Sequence, residues 1–81
     1  MKTEIKFHGY RIFKYSFEGE YSRKIYGEMC QAIKVKDETH HQEIALAILN
    51  ATDTFEKLRD IETFNTFIKC KDYAVEITVS A

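Results

Sequence analysis

Hydrophobic and polar residues alternate near both ends of the chain and recur at helical spacing between them. Glu4-Ile5-Lys6-Phe7-His8 alternates strictly, which is the period of a half-buried strand. After Gly9 the period restarts through Phe13, Tyr15 and Phe17. Glu18-Gly19-Glu20 then reads as a hairpin connection, because glycine takes the positive φ a tight turn needs. Residues 21–35 carry two periods at once. Ile25, Gly27, Met29, Gln31, Ile33 and Val35 share one face of a strand, whereas Tyr21, Ile25, Met29 and Ile33 share one face of a helix. Gly27 and the β-rich ends favour the strand.

The second half opens as a helix. Thr39 and Gln42 fit a capping box, and Asp37 and Glu38 place negative charge where a helix dipole favours it. Ile44, Ala47, Ile48 and Ala51 form one stripe, continued by Phe55, Leu58 and Ile61. The spacing predicts a helix over 40–62, either continuous or broken near 51–54, where Asp53 and Glu56 resemble a second cap. Phe67-Ile68-Lys69-Cys70 pairs, through a turn at Lys71-Asp72, with the strictly alternating, β-branched run Ala74–Val79. The order expected is β-β-β-α-β-β: an α+β fold with an antiparallel sheet of four to five strands and one long or broken helix on one face.

At 81 residues, with no proline and no linker-like or repetitive stretch, one domain spanning 1–81 is expected. Its core is thin, because a chain of this length buries only roughly 60–65% of its unfolded surface. The two cysteines, Cys30 and Cys70, are too few for a disulfide-stapled scaffold and are read as reduced. The start of the chain lacks the apolar run of a signal peptide, and the longest apolar run is Ile44 to Leu49. A cytoplasmic location with no membrane partner follows as the expectation. The net charge of −1 conceals an asymmetry. Residues 1–36 sum to +4 and residues 37–81 to −5. With strands in front and a helix behind, that asymmetry becomes two opposed faces.

No constellation points to catalysis. The chain contains no G-x-S-x-G, P-loop or G-x-G-x-x-G, and glycine occurs three times in all. His40-His41 is the obvious metal candidate, but adjacent helical side chains point about 100° apart and cannot share an ion. His8, Cys30 and Cys70 lack ligand spacing. No enzymatic activity, cofactor or metal is expected.

The aromatic residues are the unusual feature. Seven of the eleven Phe and Tyr residues lie between positions 7 and 26, interleaved with Arg11, Lys14, Arg23 and Lys24. Aromatic faces stack unpaired bases and basic residues neutralise phosphates, so one reading is a single-stranded RNA module on a basic aromatic sheet face. It would use Tyr10, Arg11, Lys14, Tyr15, Arg23 and Lys24. Tyrosine and arginine are also enriched at protein–protein hot spots. Tyr10, Arg11, Lys14, Tyr15, Tyr21, Arg23, Lys24 and Tyr26 therefore form a candidate protein-binding set. The acidic residues Asp53, Glu56, Asp60 and Glu62 form a lesser candidate, as mimics of nucleic-acid phosphates.

The small size, the absence of Pro and Trp and the Lys/Ile/Phe/Tyr-rich composition resemble small accessory proteins of large virulent bacteriophages. Phe7-His8-Gly9-Tyr10, followed by Phe13-Lys14, is similar to the strand-Gly-aromatic-Phe-Lys opening of the Dmd-type phage antitoxins. The resemblance implies a class: proteins that inactivate a host defence nuclease, a toxin RNase or a CRISPR effector, by direct binding. The leading expectation is therefore a non-enzymatic inhibitor of a host nuclease. RNA is the alternative partner, and homodimerisation is left open.

Overall fold

A computed structural model describes residues 1–9, 13–20, 22–36, 38–58, 60–70 and 73–81. The order is β1 (Lys2–Gly9), β2 (Phe13–Glu18), α1 (Arg23–Lys36), α2 (His41–Lys57), β3 (Thr63–Lys69) and β4 (Tyr73–Ser80). The four strands form one antiparallel sheet in the order β2-β1-β4-β3. The α+β class and the antiparallel sheet are as expected, with four strands and two helices.

Period 2 sorts the strands into two faces. Ile5 and Phe7 of β1 and Val75, Ile77 and Val79 of β4 point toward the helices and are buried. Met29 and Ile33 of α1 and Ile44, Ala45, Ile48 and Ala51 of α2 close over them. The core therefore lies over the two central strands. α1 packs on α2 and β2, and α2 spans β3 and β4.

Residues 23–36 are helix, not strand. The i, i+4 row won because Met29 and Ile33 reach the core, whereas Val35 stays 72% exposed. Ser22 caps the helix: the amide of Ile25 donates to Ser22 Oγ at 3.3 Å, and the amide of Tyr26 donates to Ser22 O at 2.8 Å. Lys34 and Lys36 lie in the last turn, where the dipole favours cations. The segment after β2 is accordingly no hairpin. Gly19, at φ +96°, turns the chain out of the sheet while its amide donates to Met1 O at 2.7 Å.

α2 is shorter than expected and unbroken. Asp53 and Glu56 do not cap a new helix, because both lie inside α2; there the hydroxyls of Thr52 and Thr54 donate to the carbonyls of Leu49 and Asn50 at 2.9 and 2.8 Å. Its N-cap is His40, without a side-chain capping bond, rather than Thr39. The helix ends at Lys57, and β3 starts at Thr63, four residues earlier than expected. The expected turn at Lys71-Asp72 lies outside the described residues.

The charge asymmetry does not separate sheet from helices. Each half of the chain contributes two strands and one helix. The basic half forms the β1-β2-α1 side and the acidic half the α2-β3-β4 side, so polarity runs across the strand order. Neither cysteine is in a disulfide; Cys70 is buried and Cys30 half-buried. Among the described residues no helix is long and apolar enough to cross a membrane.

Met29→Ala should cost about 2–5 kcal/mol, as buried truncations do, whereas Val35→Ala should stay within about 0.5 kcal/mol. Equal losses in urea titrations would restore the strand, in which both residues share a face. Thr3 is fully buried on the helix-facing side of β1, and its hydroxyl has no hydrogen-bond partner among the described residues. Thr3→Val keeps the shape and removes that unmet group, so it should raise stability by about 1 kcal/mol in the same assay.

Candidate interaction surface

The helices cover one side of the sheet, and among the described residues the other side is open. Register fixes the neighbours on the open side. One cross-strand row runs Lys14–Lys6–Glu76–Phe67, and the next runs Ser16–Glu4–Thr78–Asn65. Lys6 and Lys14 are directly opposed, an unfavourable pairing for the sheet. Carboxylates nearby offset it. Glu4 Oε1 lies 3.3 Å from Lys2 Nζ and 3.7 Å from Lys14 Nζ. The hydrogen bond from Lys2 and the charge of Lys14 hold the Glu4 carboxyl below its ordinary range.

Glu76 organises the other half of the face. His8 Nε2 donates to Glu76 Oε1 at 2.7 Å. Asn65 Nδ2 donates to Glu76 Oε2 at 2.8 Å and to Thr78 Oγ1 at 2.7 Å. The His8 bond, then the Asn65 bond, lower the Glu76 carboxyl against a smaller opposing effect of burial, with Lys6 adding charge attraction. Beside this cluster Phe67 is 58% exposed, its ring 6.1 Å from that of His8. Aromatic residues, Phe among them, are enriched at protein interfaces relative to the rest of the surface.

The candidate residues from the sequence fall on different surfaces. Lys14 lies on the open face. Tyr15 points to the helix side, where it is half-buried and tilted against Phe17; burial and then the charge of Glu28 raise its phenol. Arg23, Lys24 and Tyr26 are exposed on the first turns of α1, and a hydrogen bond with Cys30 raises the Tyr26 phenol. Tyr10, Arg11 and Tyr21 lie outside the described residues. Of the acidic group, Asp53 and Glu56 are exposed on α2, and Asp60 and Glu62 in the segment leading to β3.

Phe67, Asn65, His8 and Glu76 lie outside the binding set that the sequence suggests. The signal available was parity: each lies on the polar phase of its strand, where an aromatic such as Phe67 is out of place. The two helical histidines diverge. His40 meets Tyr73 edge-on, with ring centroids 6.4 Å apart, and His41 Nδ1 donates to Glu38 O at 2.8 Å. Among the described residues no three His, Cys, Asp or Glu side chains stand together as a metal site.

Because the folded-state pKa of Glu76 lies below its unfolded value, the native state binds fewer protons, and stability rises with pH through that window. The contribution is present above the ordinary carboxylate value of 4.5 and is lost as pH falls through the depressed one. Glu76→Gln should therefore flatten the acid limb of urea midpoints measured between about pH 3 and 6. Glu4 acts with the same sign and leaves a residual slope. An unchanged limb would remove Glu76 from this role.

Compared with family models, curated proteins and solved structures, the chain matches none.

Proposed function

We propose that this chain is a non-enzymatic binding protein that inhibits a host defence nuclease by occlusion, with the open sheet face as its working surface. The observation that carries a protein partner is the exposed Phe67 ring in its polar surround. The nuclease class of the target comes from the resemblance of Phe7-His8-Gly9-Tyr10 and Phe13-Lys14 to phage antitoxins. The exposed Arg23, Lys24 and Tyr26 of α1 supply a second contact region at the basic edge of the molecule.

The single-stranded RNA alternative needs stacking aromatics and unpaired cations on one accessible face. Phe7, Tyr15 and Phe17 point toward the helices, and Lys2 and Lys14 share the Glu4 carboxylate. Among the described residues, the aromatic side chain offered by the open sheet face is Phe67. A protein partner therefore fits the surface better than a nucleic acid does.

Tagged chain is expected to capture a nuclease from a bacterial lysate and to suppress its activity at stoichiometric ratio. Phe67→Ala should weaken capture at least about tenfold, as loss of an aromatic anchor does. Capture unaffected by Phe67→Ala would move the interface elsewhere. Tight binding of labelled single-stranded RNA that weakens steeply with salt would replace this reading with the RNA module.

A further inference from the structure

Among the described residues no further strand pairs with either edge of the sheet, and the two edges differ. Backbone bonds beyond the strands fix which residues face outward. The amide of Cys70 donates to Tyr73 O at 2.8 Å, and that of Ala81 donates to Glu62 O at 3.2 Å. Antiparallel partners alternate between hydrogen-bonded and non-hydrogen-bonded pairs, so Phe64, Thr66 and Ile68 bond inward to β4. Thr63, Asn65, Phe67 and Lys69 therefore turn their amide and carbonyl groups outward, away from the sheet. The run Thr63–Ile68 carries no charge and no proline, so the charged guard of this edge strand is confined to Lys69 at its end. The opposite edge, β2, carries Lys14 and Glu18.

Above the β3 edge an open groove of about 240 Å³ separates the strand from α2. Its walls are Ala47, Asn50, Ala51 and Thr54 of α2, and its floor is Phe64, Thr66 and Ile68. Most of the wall residues are small and none is charged.

We propose that β3 pairs antiparallel with β3 of a second copy of this chain, about a two-fold axis through Thr66, giving a continuous eight-stranded sheet. β3 is self-complementary in this register. On the helix side Phe64 meets Ile68 of the second copy and Thr66 meets its own equivalent, which are favourable aromatic–β-branched and Thr–Thr pairs. On the open side Asn65 meets Phe67 of the second copy, and Thr63 meets Lys69. No like charges oppose one another. The parity also fits. Asn65 with Phe67, and Thr63 with Lys69, are the outward-facing residues and become the hydrogen-bonded pairs, while Thr66 sits at a non-hydrogen-bonded one.

The groove meets the same two-fold. Strands lie about 4.8 Å apart, and α2 spans β3 and β4. The two α2 axes would therefore lie about 10 Å apart, at the upper end of helix packing distances. The small residues of the groove wall permit that approach. The acidic groups elsewhere on α2 repel across the axis, so added salt tightens the dimer.

The test is mass in solution, by sedimentation or light scattering over a dilution series of the intact chain. Wild type should reach a dimer of two 9.5 kDa chains. Phe67→Pro removes an outward amide without touching the β4 ladder and should weaken the dimer at least about tenfold. Ser16→Pro, the equivalent change on the β2 edge, should leave it unchanged. A monomer at every concentration overturns the proposal, as does dissociation by Ser16→Pro but not by Phe67→Pro. Should Phe67→Pro unfold, Thr66→Cys decides, in a chain whose own cysteines are replaced. Two Thr66 positions across the axis suit disulfide geometry, so oxidation should yield covalent dimer, whereas Ser16→Cys should not. Crosslinking at Ser16→Cys alone places the interface on β2 and overturns the proposal.

Discussion

The fold depends on the pairing of its two ends. β1 and β4 are adjacent at the centre of the sheet, in continuous register from Lys2 opposite Ser80 to Gly9 opposite Tyr73. Ile5 and Ile77 lie side by side in that pair and are fully buried under the helices. Without it the molecule is two antiparallel strand pairs with a helix each, α1 on β2 and α2 on β3 and β4, and the core that the halves share is not assembled. The pairing must be made across nearly the whole chain, so loop closure is spent before the core returns any burial energy. The reward is concentrated: Val75, Ile77 and Val79 of one strand are all fully buried. A thin core of this kind works because its best-packed strand is also its central one.

The same pairing determines what is left uncovered. Two helices suffice for one side of four strands, and the polar phases of β1 and β4 then meet on the other. His8 and Glu76 are 68 positions apart in the chain, yet 2.7 Å apart on that face. Lys6 stands opposite both Lys14 and Glu76, so positive charge next to β2 is matched by a carboxylate on β4. The face is consequently mixed in charge rather than basic, which lowers its attraction for a polyanion and leaves Phe67 as its apolar projection.

Elements with one period were legible from the sequence. β1, β2 and β4 alternate without competing signals, and the α2 stripe Ile44, Ala47, Ile48 and Ala51 has no strand interpretation. α1 was not legible because Ile25, Met29 and Ile33 satisfy both periods, and Gly27 counted against a helix although it is exposed on one. The short cap Ser22 outweighed it, since it supplies a bond the strand reading has no use for. Asp53 and Glu56 have the spacing of a second cap, but α2 runs through both, and the neighbouring Thr52 and Thr54 hydroxyls bond back within the helix and leave it continuous. The candidate site was only partly legible for a simpler reason. Lys14 and Tyr15 are neighbours in sequence and therefore occupy opposite faces of a strand. A contiguous basic-aromatic segment reads as one surface and folds as two.

Charge polarity across the strand order bears on how such a sheet assembles. Head-to-tail pairing of β2 on β3 would bring a basic flank to an acidic one, but it does not close and would run on as a filament. Two-fold pairing through β3 closes after two copies. It places the two acidic flanks at the centre, where Ala47, Asn50, Ala51 and Thr54 keep charge out of the contact. Both outer edges are then β2, each carrying Lys14 and Glu18 beside a basic helix. Charged side chains on an exposed edge oppose further strand addition. The edge with fewer charges is thus consumed, and the more charged one is left facing solvent. Pairing this way also joins two open faces into one, doubling the exposed Phe67 rings on a single continuous surface.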